Sequence, residues 1–105
     1  MKLLLDTHVF LWYVTYDAKL QPDFEAAIRN PANSVFLSVV SQWEATIRHD
    51  LGKMPLPQVP ELFIPFHRRS HKMKSLELTE ASVARLSGLP LIHRDPFDLM
   101  LIARL

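Results

Sequence analysis

The chain opens with three consecutive leucines, at positions 3–5, that are followed directly by a carboxylate. An apolar run without polar alternation is typical of a central strand in a parallel sheet, covered on both faces. Asp6 ends this strand, and the next apolar stretch predicts a helix over residues 7–14. Open α/β sheets bind ligands beyond the carboxyl ends of their strands, so Asp6 is the first candidate functional residue. It could equally serve only as the cap of the helix that follows.

The middle of the chain predicts a further helix and a second strand. Pro22 suits the first turn of a helix that ends near Asn30, just before Pro31. Residues 34–38 form a short β-rich run, which predicts the strand. Strands that alternate with helices in this way predict an α/β fold, a three-layer α/β/α sandwich with a short parallel sheet.

Residues 41–52 predict a helix with a signal at each end, because Ser41 can cap its start and Gly52 its end. An apolar stripe runs along this helix at Val40, Trp43, Ile47 and Leu51. We expect the stripe to face the core, with Glu44 at its border. A carboxylate in that place needs a cation or a hydrogen-bond partner, because burying an isolated charge is very costly. The alternative to a cation is the backbone N–H of a capping box.

The last segment also places an acid at the head of an apolar stripe. Asp95 followed by Pro96 is an N-cap with proline at the first helical position, which predicts a helix over residues 95–105. Asp98 shares a face with the apolar positions of that helix and could bind a metal ion. Otherwise the two acids are a cap and a charge that complements the helix dipole.

Composition and charge describe one ordinary domain, residues 1–105. The chain has no cysteine, which excludes disulfides and thiolate metal sites. No apolar stretch reaches the length of a membrane span, so we expect a cytoplasmic protein without membrane contact. Twelve Lys and Arg residues stand against 11 Asp and Glu residues, and this balance gives no general argument for nucleic-acid binding.

One segment is nevertheless locally basic. Residues 67–74 carry four Lys and Arg side chains and no acid. They could bind a phosphate backbone, although a solvated helix end is the simpler interpretation. His67 and His71 have the spacing of metal ligands on a helix, but no third ligand lies near them in the sequence, so we do not expect zinc.

Three motifs together resemble the PIN-domain ribonucleases of the VapC toxin type. They are LLLDTHVFLW at residues 3–12, SQWEATIR and LGK within residues 41–53, and HRDPFD and LIA within residues 93–103. The resemblance spans nearly the whole chain. It implies an α/β/α sandwich that cuts RNA with Mg²⁺ or Mn²⁺, and a small cognate antitoxin as partner. A homo-oligomer is also expected.

Position by position, the resemblance assigns Asp6, Glu44 and Asp98 as catalytic acids and metal ligands. Asp95 matches an accompanying acid that could also bind the metal, and Arg94 is a candidate for RNA binding. Family members usually continue into a further strand that carries a fourth acid. The resemblance therefore predicts that the PIN-like domain of residues 1–105 is incomplete at its C-terminus.

Two other functions stay open. A PIN-like domain without its last strand could be catalytically impaired and act as an antitoxin-binding module. Apolar contacts would then come from Phe10, Trp12, Tyr13, Leu62 and Phe63. The same metal chemistry also serves phosphatases and flap-type nucleases, and the substrate distinguishes them: single-stranded RNA, structured DNA or a small phosphate ester.

Overall fold

A computed structural model of the chain describes residues 2–77, 79–81, 84, 91–94 and 101–104, the last two ranges as backbone. In chain order the elements are β1 (Lys2–Leu5), α1 (Thr7–Val14), α2 (Pro22–Arg29), β2 (Ser34–Ser38), α3 (Val39–Asp50), α4 (Pro60–Ser70), β3 (Lys74–Leu76), β4 (Leu91–Arg94) and β5 (Leu101–Arg104). The predicted helix over residues 7–14, the helix from Pro22 and the strand over residues 34–38 are confirmed.

The strands form one sheet in the order β3-β2-β1-β5-β4. The first three strands are parallel, with Leu5 opposite Leu37 and Ser38 opposite Leu76. Strand β5 runs antiparallel to both β1 and β4. The predicted α/β class with a short parallel sheet is therefore confirmed, and the architecture agrees with the PIN-like sandwich. Among the described helices, none is long and apolar enough to cross a membrane.

Strand β5 shows that the predicted helix over residues 95–105 is wrong at its end. Residues 101–104 pair with β1, and Ile102 lies opposite Leu5. A short apolar run fits a strand or a buried helix equally well, so periodicity alone cannot decide between them. Strand pairing selects the strand here. Strand β2 pairs with one edge of β1, and the backbone N–H and C=O groups along the other edge of β1 need hydrogen-bond partners.

The core lies on the face of the sheet to which Leu3 and Leu5 point. These side chains are 0% and 2% exposed, whereas Leu4 on the opposite face is half-buried. Every helix from α1 to α4 contributes buried residues to the same cluster, among them Phe10, Phe24, Ala45 and Phe63. Burial on this face fixes β1 in the middle of the sheet and sets its carboxyl end beside the starts of α1 and α3.

Helix α3 begins earlier than the sequence predicted. The Ser38 hydroxyl accepts a hydrogen bond from the backbone N–H of Val40 at 3.0 Å, so Ser38 and not Ser41 is the cap. The strand β2 runs directly into the cap, which leaves no room for a separate loop. Glu44 therefore lies in the second turn of α3, too far along the helix for a capping box.

The buried face of α3 also differs from the predicted one. Ala45 is fully buried, but the apolar stripe that was expected to face the core is exposed. The exposed fractions of its four side chains are 45% for Val40, 66% for Trp43, 39% for Ile47 and 64% for Leu51. Neighbouring helix α4 also exposes large apolar side chains, Leu62 at 61% and Phe66 at 62%.

Candidate active site

Asp6 lies at the carboxyl end of β1, where it also caps α1. Its Oδ2 accepts a long hydrogen bond, 3.4 Å, from the backbone N–H of His8, and the His8 Nδ1 lies 3.5 Å from the same oxygen. The side chain is 20% exposed. Capping and a functional role are thus compatible, because the hydrogen bond that caps the helix is long and therefore weak.

The electrostatic setting of Asp6 disfavours its charge. Burial is the main cause and raises the pKa of the carboxyl group above its ordinary value, and the negative charge of Glu44 raises it further. His8 and the backbone N–H groups of His8 and Thr7 act in the opposite direction and lower that pKa. Two carboxylates that repel each other in a partly buried place are a setting that a divalent cation would stabilise.

Glu44 belongs to a chain of polar contacts that leads back to Asp6. Its Oε1 lies 3.2 Å from the Arg48 Nε, one turn further along α3. The Arg48 Nη1 is 3.4 Å from the His8 Nε2, and the opposite side of that ring faces Asp6. Since the arginine can only donate, this contact is a hydrogen bond when the His8 Nε2 accepts, that is, in the tautomer with its proton on Nδ1, towards Asp6.

Thr7 adds a buried hydroxyl group beside Asp6. The residue is 1% exposed, and its Oγ1 has no hydrogen-bond partner among the described residues. A buried hydroxyl without a hydrogen-bond partner is unfavourable. This hydroxyl is an oxygen donor or acceptor that nothing else in the described fold uses.

Of the remaining predicted site residues, Arg94 is described and lies at the end of β4. The backbone of Arg94 pairs with that of Leu101, and β5 continues from there along β1. Arg94 is therefore at the edge of the sheet where β1 ends in Asp6. Asp95 and Asp98 lie outside the described residues, between these two paired positions. Their assignment as metal ligands stays a prediction.

The described donor set fits Mg²⁺ or Mn²⁺ in kind. Carboxylate oxygens are among the ligands that such hard cations prefer, and Asp6 and Glu44 supply them. Within the described residues, however, no group of three His, Cys, Asp or Glu side chains could hold a metal ion. A complete metal site therefore needs a further ligand, for which Asp98 is the predicted residue.

Two residues of the candidate site, Arg48 and Thr7, were not predicted from the sequence. Arg48 contacts both Glu44 and His8, and the spacing of four residues between Glu44 and Arg48 on a helix was the signal for it. The buried hydroxyl of Thr7 could not be found from the sequence. A threonine directly after a strand is also a common residue at the start of a helix, so its presence there does not indicate a functional hydroxyl. The basic segment 67–74 lies elsewhere, at the end of α4 and the start of β3.

The chain is similar to ribonuclease VapC16 of Mycobacterium tuberculosis. The two sequences are 34% identical over 67 residues, which is 62% of this chain and 48% of that protein. The chain thus spans about half the length of the curated relative that it matches. No family model matches the sequence. No solved structure matches it either.

The similarity agrees with the three motifs and with the fold. It confirms the resemblance that the sequence showed, and a short parallel sheet with Asp6 at the end of its central strand is what that resemblance implied. Over 62% of its length, this chain is therefore similar to a VapC ribonuclease.

Proposed function

We propose that this chain is the catalytic part of a metal-dependent endoribonuclease, the toxin of a VapBC-type toxin–antitoxin pair. The observation that carries the proposal is Asp6: a partly buried carboxylate at the carboxyl end of the central strand, whose pKa is raised by burial and by Glu44. Structural carboxylates are normally paired with a cation so that their charge is stabilised. Here the Arg48 guanidinium contacts Glu44 instead of Asp6.

Asp6 and Glu44, together with Asp98, would hold Mg²⁺ or Mn²⁺. The bound ion supplies a polarised phosphoryl oxygen and a water molecule of lowered pKa. The protein side chains would orient the metal ligands and bind the phosphate. Asp6 keeps its orientation because it also caps α1, and Arg48 holds Glu44 while it presents a second N–H edge that can bind a phosphate oxygen. Arg94, at the same edge of the sheet, is the further candidate for phosphate contact.

Single-stranded RNA as substrate, a small antitoxin as partner and a cytoplasmic location belong to the same proposal. The apolar residues expected to meet an antitoxin need one correction. Phe10 and Phe63 are 0% and 3% exposed, so they belong to the core. Trp12 and Tyr13 are half-buried and Leu62 is exposed, and these three could contact a partner.

The proposed homo-oligomer is supported by the exposed stripe on α3. Val40, Trp43, Ile47 and Leu51 follow one another at helical spacing, so they line one side of a twelve-residue helix. Such a stripe is self-complementary when two copies of the helix pack antiparallel about a twofold axis. Monomeric proteins rarely leave an apolar surface of this kind in water. A second copy of the chain is the occupant that we propose for it.

The alternative function, an antitoxin-binding module with impaired catalysis, is favoured by one observation. The ion pair with Arg48 occupies one oxygen of Glu44, and a metal ion would have to compete with it. The two functions differ in what Mg²⁺ does to RNA. The module predicts no cleavage, whereas the ribonuclease predicts metal-dependent cleavage of single-stranded RNA.

The substrate class is tested with three labelled substrates under identical conditions. These are single-stranded RNA, a flap-structured DNA and a small phosphate ester, each with Mg²⁺ and with EDTA. We expect cleavage of the RNA alone, abolished by EDTA. Preferred cleavage of the DNA or the ester would assign the metal chemistry to a flap-type nuclease or a phosphatase, and cleavage in EDTA would exclude a metal mechanism.

A further inference from the structure

Two adjoining cavities lie near the end of α1 that is opposite Asp6. The first, the aromatic cavity, has a volume of about 270 Å³ and is lined by Trp12, Tyr13 and Tyr16 together with Arg29 and His71. The second, the basic cavity, has a volume of about 350 Å³. Arg29 and His71 line both, so one surface leads from aromatic rings to cations.

The basic cavity collects positive charge in a chain whose total charge is nearly balanced. Arg29, Lys72 and Lys74 line it together with His71, and its described lining includes no acid. The aromatic cavity does contain two acids, but both have local partners. Glu25 forms an ion pair with Arg29, and the Asp17 Oδ1 accepts a hydrogen bond from the backbone N–H of Lys19.

A row of rings and cations connects the aromatic cavity with the candidate active site. His8 and Trp12 are one helical turn apart on α1, with ring centroids 6.1 Å from each other. The Lys19 Nζ lies 5.9 Å from the centre of the Trp12 ring. Because α1 is about 12 Å long at 1.5 Å per residue, the whole row stays within a short reach of Asp6.

The backbone gives an independent reason to assign a function to this surface. Among the described helices, α1, α3 and α4 end in the same way, with a left-handed residue after the helix and a hydrogen bond back across the last turn. Gly52 occupies that position after α3, with φ 71°. Tyr16 and Lys72 occupy it after α1 and α4, with φ 56° and 58°.

Glycine is the favoured residue in that conformation, because a side chain makes it strained by about 1–2 kcal/mol. Both Tyr16 and Lys72 have little packing to offset the strain, since Tyr16 is 82% exposed and Lys72 is also exposed. One of these strained residues lines the aromatic cavity and the other the basic cavity. Both side chains therefore come at a cost to stability, and backbone strain of this kind clusters at functional positions.

We propose that Trp12, the aromatic cavity and the basic cavity form a binding track for the single-stranded flank of the RNA substrate. Bases stack on Trp12 and Tyr16, and phosphates contact Lys72 and Lys74. Proteins that bind single strands combine aromatic platforms with a cationic groove in this way. The proposal rests on the proposed ribonuclease function, which it deepens by naming where the substrate lies outside the metal site.

The test measures RNA binding separately from cleavage. A fluorescently labelled single-stranded RNA is titrated with the protein in EDTA, and binding is followed by anisotropy. The variants are Tyr16→Gly and Lys72→Gly, which remove the side chain and relieve the backbone strain together. Lys53→Gln is the matched control, because it removes an exposed lysine that follows Gly52 and lines neither cavity.

We expect each glycine variant to bind RNA at least about fivefold more weakly, the loss that one stacked base or phosphate contact implies. Its thermal midpoint should stay the same or rise, so unfolding cannot explain the loss. Lys72→Gly should also reduce the dependence of binding on salt, since one phosphate contact is gone. The control should bind like the wild type.

If both glycine variants bind RNA with the affinity of the wild type, the proposed binding track is wrong. The cavities would then be candidates for contact with a protein partner. This failure is distinct from failure of the proposed function. If the wild type cleaves RNA with Mg²⁺ while the variants bind normally, only the track is wrong. If the wild type never cleaves RNA but the variants lose binding, the track stands and the ribonuclease is wrong.

Discussion

The Glu44 carboxylate and the Arg48 guanidinium are 3.2 Å apart, in the second and third turns of α3. The pair is about two-fifths exposed on each side, so its contribution to stability is small, at most about 1 kcal/mol. The pair is connected to Asp6 through His8, so we expect it to affect the binding of a metal ion instead. Arg48 contacts one oxygen of Glu44, so a divalent cation that bound this oxygen would compete with the arginine.

The first prediction follows from that competition. Replacing Arg48 with methionine keeps much of the side-chain volume and removes the charge. We expect Arg48→Met to bind Mn²⁺ several-fold more tightly, because a competing positive charge is gone, and to bind RNA more weakly. Paramagnetic resonance of free Mn²⁺ measures the first change and anisotropy the second.

Arg48→Lys is the control for this prediction, since it keeps the charge but not the planar fork. Its Mn²⁺ affinity should stay close to that of the wild type. Weaker Mn²⁺ binding in Arg48→Met would show that the arginine orients Glu44 for the ion rather than competing with it.

The second prediction concerns stability and pH at Asp6. Its pKa is raised above 3.8 in the folded state, so the folded protein binds the proton more tightly than the unfolded chain does. Below the usual carboxyl range the group is protonated in both states, and it costs no stability. As pH rises above that range, ionisation in a partly buried place lowers the free energy of unfolding.

Asp6→Asn should therefore be more stable than the wild type at neutral pH in EDTA, and equally stable at low pH. Asparagine caps a helix as well as aspartate does, so the cap itself is kept. Urea unfolding across pH measures the difference. Asp50→Asn, at a carboxylate that is 74% exposed, is the control and should show no such gain. A less stable Asp6→Asn at neutral pH would mean that the charge is stabilised by contacts.

The third prediction concerns the buried hydroxyl of Thr7. Valine has the same shape, so Thr7→Val removes a buried polar atom that has no partner among the described residues. We expect a gain of about 1 kcal/mol in the free energy of unfolding without metal. Thr46→Val is the comparison, because the Thr46 Oγ1 donates to the Gln42 carbonyl at 3.0 Å and its loss should give no gain. Destabilisation by Thr7→Val would reveal a partner for the hydroxyl.

The fourth prediction concerns the stripe on α3. Trp43→Ser should shift the protein from dimer towards monomer in sedimentation velocity, because Trp43 is the most exposed large side chain of the stripe. Tyr16→Ser is the control, since Tyr16 is an exposed aromatic residue outside the stripe. A wild-type protein that sediments as a monomer would remove the second copy as occupant of this surface.

The sequence predicted the position of Asp6 because two strong signals coincide there. A run of leucines gives a buried strand, and a carboxylate directly after it can only lie at the carboxyl end. The start of α3 was harder, since Ser38 and Ser41 are equally good caps and only the direct connection from β2 selects Ser38.

Contacts between elements that are distant along the chain could not be predicted from the sequence. The apolar residues 101–104 could have been helix or strand, and pairing with β1 selects the strand. The contact between Arg48 and His8 joins residues 40 positions apart, and no local pattern encodes it. Whether Asp98 joins Asp6 and Glu44 stays a prediction, because it lies outside the described residues.

The measurement that tests the account most directly is Mn²⁺ binding to Asp6→Asn, Glu44→Gln and the double variant, compared with the wild type by paramagnetic resonance. If both carboxylates hold one ion, each single variant should lose at least about tenfold in affinity, as loss of one of few charged ligands implies. The double variant should lose much less than the product of the two losses, because the second substitution acts on a site already broken. Wild-type affinity in either single variant would contradict a shared metal site.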